Sequence, residues 1–240
     1  MKSIALLFSS ILVSVLLFAA PMTKAATPQQ DAENRVFTTL EEALAQPEAV
    51  YNLDLRSKQL TVLPPEIGNF PNLRRLNLAG NSLTTVPPEI GKLTKLEWLS
   101  LASNELATLP VEIGNLKHLQ ELYLAANQLT AIPVEIGNLT SLQTLGLSVN
   151  QLTVLPNEIE KLTMLVTLRV NSNLLTTIPA GIGKLKKLEN LQVNNNQLTD
   201  LPIEIKSLPK LKAMSYENNQ FSPEKQIEID KLYGPFQVFK

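Results

Sequence analysis

The chain contains no cysteine, a single histidine and few rings, with 5% of its 240 residues aromatic. Lack of cysteine excludes disulfides, thiol nucleophiles, thiolate metal sites and a lipid-bearing N-terminal cysteine. Stability must therefore come from packing, and leucine and isoleucine have to fill the interior. No charge of one sign dominates: 21 basic residues stand against 22 acidic ones. Setting aside Lys2 and Lys24 of the N-terminal segment leaves 19 against 22, a formal charge of −3. Nucleic acid and anionic membrane surfaces select a basic field, so neither is an expected partner. Gly-rich phosphate loops, Ser-His-Asp sets and metal-ligand spacings are missing as well, so we expect no enzyme and no cofactor. The lone His118 has no nucleophile or ligand recurring beside it and reads as an exposed loop residue.

One long apolar run is present, from Ile4 to Ala20, preceded by Lys2 and followed by Thr23-Lys24-Ala25. That order of basic, apolar and small residues reads residues 1–25 as a signal peptide cleaved after Ala25. A retained anchor is the competing reading, but 17 residues including Ser9, Ser10 and Ser14 are short for a span. The expectation is a secreted or periplasmic protein, monomeric and off the membrane after cleavage. Residues 26–36 are polar and read as a loose linker.

From Leu73 the chain repeats itself. Units of 23 residues open at Leu73, Leu96, Leu119, Leu142, Leu165 and Leu188, with a degraded copy from Val50 and a truncated one at Leu211. A fixed period of this length specifies a solenoid whose units bury their apolar edges against each other. Within a unit the pattern is L-x-x-L-x-L-x-x-N-x-L, then x-x-L-P-x-E-I-G-x-L. Alternation across Leu76-Asn77-Leu78 is the period-two signature of a strand with one buried face. Stacking aligns about eight such strands into a parallel sheet.

Asparagine recurs at Asn81, Asn104, Asn127, Asn150, Asn173, Asn196 and Asn219. A carboxamide both donates and accepts, so this column can serve the backbone where each unit turns inward. Losing one member leaves buried amides unpaired, at about 1–3 kcal/mol. The first unit carries Lys58 here, which predicts a turn open to solvent. Prolines 64, 87, 110, 133, 156, 179 and 202 then suit the first position of a short α or 3-10 helix on the convex side. Glutamate two residues on complements the helix dipole, isoleucine packs inward, and glycine limits the segment.

Thr39-Leu40-Glu41-Glu42 has capping-box spacing and opens an N-terminal cap helix within 37–49 that Pro47 stops. Ser222-Pro223-Glu224 opens a C-terminal cap helix within 222–240, where Ile227, Ile229 and Leu232 are expected to cover the last unit.

The recurring consensus closely resembles the leucine-rich repeat proteins over about 50–221. The second half, as in Leu109-Pro110-Val111-Glu112-Ile113-Gly114, is similar to the subtype of exported bacterial and Ras-suppressor-like eukaryotic members. The resemblance implies an α/β right-handed horseshoe with the sheet on its concave side, used for protein recognition. Glu160 and Lys206 in the glycine column and Gly181 in the glutamate column depart from the pattern.

Solvent-facing strand positions are the ones the repeat leaves free, so ligand choice belongs there. Trp98 and Tyr123 fall on adjacent strands, with Ala79, Ala102 and Ala125 as a floor and Arg75, Glu121 and Arg169 around them. Tryptophan, tyrosine and arginine dominate binding hot spots, which makes Arg75, Trp98, Glu121, Tyr123 and Arg169 the candidate partner site. The alternative is that Trp98 merely covers neighbouring strands. Asn171, Asn190, Gln192, Asn194 and Asn195 form an amide-rich stretch that reads mainly as soluble surface. A face of eight strands at ~4.8 Å by five residues at ~3.3 Å spans about 600 Å². That suits a protein domain or extended peptide better than a metabolite. Glycan binding through the same aromatic pair is the alternative. The glutamates Glu66, Glu89, Glu112, Glu135, Glu158 and Glu204 are explained by their helix-start position, as are Lys184, Lys186 and Lys187 by a solvated edge.

Overall fold

The computed structural model describes residues 33–234. The expected signal peptide, most of the linker and the tail 235–240 lie outside the described residues.

Nine strands form one parallel sheet in chain order. The first is a two-residue strand, β1 (Val36–Phe37), and the others have three residues each. They are β2 (Asn52–Asp54), β3 (Arg75–Asn77), β4 (Trp98–Ser100), β5 (Glu121–Tyr123), β6 (Thr144–Gly146), β7 (Thr167–Arg169), β8 (Asn190–Gln192) and β9 (Ala213–Ser215). Register never slips, so Leu53, Leu76, Leu99 and their successors pair in one row. That row is buried, and the residues on either side of it point to the opposite, concave face.

The asparagine column hydrogen-bonds the backbone of adjacent units. Asn81 donates to the Leu55 and Leu78 carbonyls at 2.9 and 2.8 Å, and its Oδ1 accepts from the Lys58 and Leu60 amides. Asn104, Asn127, Asn150, Asn173 and Asn196 repeat the pattern while buried; Asn219, in the last unit, keeps it while half-buried. Lys58 is exposed as expected, and its own turn is served by the carboxamide of the next unit.

The convex side carries the expected short segments and differs from expectation in two details. Every repeat carries a five-residue 3-10 segment, from Pro65–Asn69 to Ile203–Ser207, and none is α-helical. The proline column caps these segments in extended geometry, as with Pro110 at φ −68°, ψ 146°, instead of occupying their first position. Its carbonyl then accepts the first i→i+3 bond, as from Ile113 to Pro110 at 3.1 Å. Secondly, the glycines lie inside the segments, where they admit the neighbouring repeat. A Cβ on Gly114 would stand 2.7 Å from the Glu135 carbonyl oxygen and the Glu135 Cβ.

This contact explains two of the departures together. At one junction the pair is reversed: Gly181 stands opposite Glu160, and a Cβ on Gly181 would meet the Glu160 Cβ at 2.8 Å. The 3-10 segments Asn157–Lys161 and Ala180–Lys184 keep the common geometry because one glycine and one glutamate still face each other.

Both ends are covered. Thr39 caps the helix α1 (Leu40–Leu44), accepting from the Glu42 amide, and Ala43 is buried beneath it. The cap also contains β1, which was not expected: Val36 pairs with Asn52, and Phe37 is fully buried under the Arg35 guanidinium, 4.3 Å from its ring centroid. Arg35, within the expected linker, is held by an ion pair to Glu42 at 2.8 Å. At the far end Ser222 caps the helix α2 (Pro223–Tyr233). Ile229 and Tyr233 cover the last repeat with Leu232 partly buried, whereas Ile227 is 70% exposed and takes no part.

Candidate functional site

The concave register decides which expected residues meet. Arg75, Trp98 and Glu121 are neighbours across β3, β4 and β5, and Tyr123, Gly146 and Arg169 across β5, β6 and β7. The Trp98 and Tyr123 rings lie diagonally, centroids 5.7 Å apart and planes at 49°. The Arg75 guanidinium sits 4.8 Å from the centroid of the Trp98 ring, a cation–π geometry. The Tyr123 hydroxyl donates to the Glu121 carboxylate at 2.5 Å. Its pKa is pushed up to about 12, chiefly by burial, then by the hydrogen bond and charge of Glu121, with Arg169 and Arg75 opposing. Four of the five expected residues therefore form one connected cluster. Arg169 joins through its field alone, two strands away.

Gly146 lies against this arrangement: a Cβ there would stand 3.4 Å from the Tyr123 ring, in van der Waals contact. Ala79, Ala102 and Ala125 are half-buried and form the shallow floor expected.

A hollow of about 290 Å³ beside Arg75 was not expected as part of the site. It is lined by Val36, Asn52, Asp54, Arg56, Asn77 and Trp98 among others. The pattern places all of these but Val36 in the free strand columns; a two-residue strand has no periodicity by which to find it.

The amide-rich half satisfies much of its polarity internally. Ser148 donates to Asn171, Ser215 to Asn194 and Asn218 to Asn195, at 2.6, 2.8 and 2.9 Å. The glutamate column starts the convex 3-10 segments, and no group of three or more His, Asp or Glu among the described residues could hold a metal. His118 is exposed on the flank where the strands begin, near Glu97.

The leucine-rich repeat region family matches residues 51–128 and 112–231, most of the chain. The protein is a leucine-rich repeat protein. A leucine-rich repeat protein of Leptospira interrogans is 36% identical, with a TM-score of 0.58 over 86% of this chain and 66% of that one. The ectodomain of an Arabidopsis thaliana membrane receptor kinase, solved with Casparian strip integrity factor 2, is 33% identical. Its TM-score is 0.66, over 77% of this chain and 23% of that one. Internalin C2 of Listeria monocytogenes is 27% identical, with a TM-score of 0.69 over 82% and 83% of the two chains. This leucine-rich repeat chain thus spans just under two thirds of the Leptospira protein and about a quarter of the plant ectodomain. No curated protein sequence matches it. Leucine-rich repeat folds are typically non-enzymatic binding scaffolds, and the horseshoe seen here has their architecture. Among the described residues no helix is long and apolar enough to cross a membrane.

Proposed function

We propose that this protein is exported and binds another protein through its concave sheet, with Arg75, Trp98, Glu121, Tyr123 and Arg169 at the contact. One observation carries this reading: the only tryptophan stays half-exposed on a face with no core to fill, yet its geometry is held. Arg75 packs on its ring, Tyr123 flanks it, and Glu121 pins the Tyr123 hydroxyl. Side chains ordered before binding lose less freedom when a partner arrives, which is what a hot spot needs. The similar plant receptors solved with their ligands support a protein or peptide partner. Carbohydrate stacking on the same pair is disfavoured, because Arg75 already occupies the Trp98 ring. The basic, apolar and small-residue order of 1–25 supports export by a cleavable signal, to a secreted or periplasmic destination.

The test is Trp98→Ala combined with Tyr123→Ala, used as the control in an affinity capture from envelope and extracellular extracts. Both side chains are half-exposed, so the double variant should fold normally by circular dichroism. Its affinity for the captured partner should fall by about tenfold or more. A folded double variant that binds unchanged would remove the concave cluster from consideration.

A further inference from the structure

We infer that this face recognises an acidic, extended segment of its partner, anchored by Arg75 and Arg169. The inference rests on the concave-face reading above and names the chemistry that face selects. Among the described residues neither Arg75 nor Arg169 has an ion-pair partner, although Arg56, close by, is paired with Asp54 at 3.1 Å. The nearby carboxylates are committed: Asp54 to Arg56, and Glu121 to the Tyr123 hydroxyl. Three arginines against two engaged carboxylates make this patch locally basic in a chain whose net charge is −1. Arg75 is also pre-positioned, its guanidinium packed on Trp98 beside the 290 Å³ hollow that Asn52 and Asn77 also line. A guanidinium so placed still presents its N–H edges, which match the fork of a carboxylate.

Spacing selects the form of the ligand. From β3 to β7 is four strand steps of ~4.8 Å, about 19 Å across the sheet. An extended chain advances ~3.3 Å per residue, so about six residues separate the two acids. An even separation puts both acids on one side of the extended segment, facing the sheet. Between them the segment crosses the Trp98 and Tyr123 rings, against which apolar side chains pack.

Synthetic peptides of one composition test this, with two aspartates about six residues apart, about three apart, or replaced by asparagine. Each is titrated onto the purified protein and onto Arg75→Gln and Arg169→Gln, with thermal unfolding as the check on fold. The wide-spaced peptide should bind about fivefold tighter than the others, and each arginine variant should erase that advantage. Equal affinity for all three peptides, or an advantage that survives in both variants, overturns the inference. So does Arg75-dependent binding of polygalacturonate, an anionic glycan, without binding of any peptide. If acid preference is absent while the captured protein still depends on Trp98 and Tyr123, this inference falls and the concave-face reading stands. A double variant that keeps its captured partner defeats the face reading itself.

Discussion

Val149 adopts φ 58°, a left-handed conformation that a β-branched residue resists. It belongs to a column, Gly80, Ser103, Ala126, Val149, Ser172, Asn195 and Asn218, immediately before the ladder asparagines, and every member has positive φ. The repeat imposes this turn on whatever residue stands there. Val149 is 54% exposed, so replacing it loses little burial. Val149→Asn should therefore raise stability by about 1 kcal/mol in urea unfolding; a decrease would show that the valine has a packing role. The ladder was legible because its chemistry demands one residue type. This column was hidden because backbone strain tolerates several, and only Gly80, Asn195 and Asn218 signal it. At the same scale, Tyr123 and Tyr216 both have pKa values pushed up to about 12, burial first in each and then a carboxylate acceptor, Glu121 or Asp230. Unfolded tyrosine ionises near ~10. The stabilisation from these neutral hydroxyls is thus complete below pH ~10 and lost as pH rises towards ~12. Burial raises Tyr233 as well, so tyrosinate absorbance should show three late-ionising rings, one of which disappears in Tyr123→Phe.

At the scale of elements, the convex segments are set by what the adjacent repeat allows. Five residues between a proline cap and a leucine close two i→i+3 bonds, as Ile113 to Pro110 and Leu116 to Ile113, which is a 3-10 turn. The motif predicted a short helix, but its type depends on how closely neighbouring repeats stack. Glycine opposite glutamate sets that closeness, and the Glu160–Gly181 junction provides the test. Gly181→Glu should destabilise by about 1–3 kcal/mol, since two glutamates then occupy space for one. Adding Glu160→Gly restores the arrangement of the other junctions and should recover most of the loss, despite removing the ion pair to Lys184 at 2.9 Å. Additive effects in urea unfolding would argue against direct coupling of the pair.

For the whole molecule, the ends limit stability, because inner repeats are held between like repeats while each outer one relies on a single cap. Tyr233 is 1% exposed, and its hydroxyl reaches the Pro202 carbonyl at 3.1 Å. Tyr233→Ala should cost about 3 kcal/mol and uncover the last unit, seen as a lower unfolding midpoint and increased light scattering. An unchanged midpoint would mean that Ile229 alone seals the end. The cap helices were legible from Thr39 and Ser222. The pairing of β1 was not, and neither was the choice of Tyr233 over Ile227, because both depend on the direction in which each cap meets the stack.

Repetition of leucine and asparagine at 23 residues determined the solenoid, its register and its buried ladder, because each copy solves the same local packing and hydrogen-bonding problem. Tertiary structure decided what lies between the copies: the close glycine–glutamate contacts, the strand that closes the first edge, and the stacking of Arg75 on Trp98. Those depend on distances between residues far apart along the chain, which a single repeat does not contain.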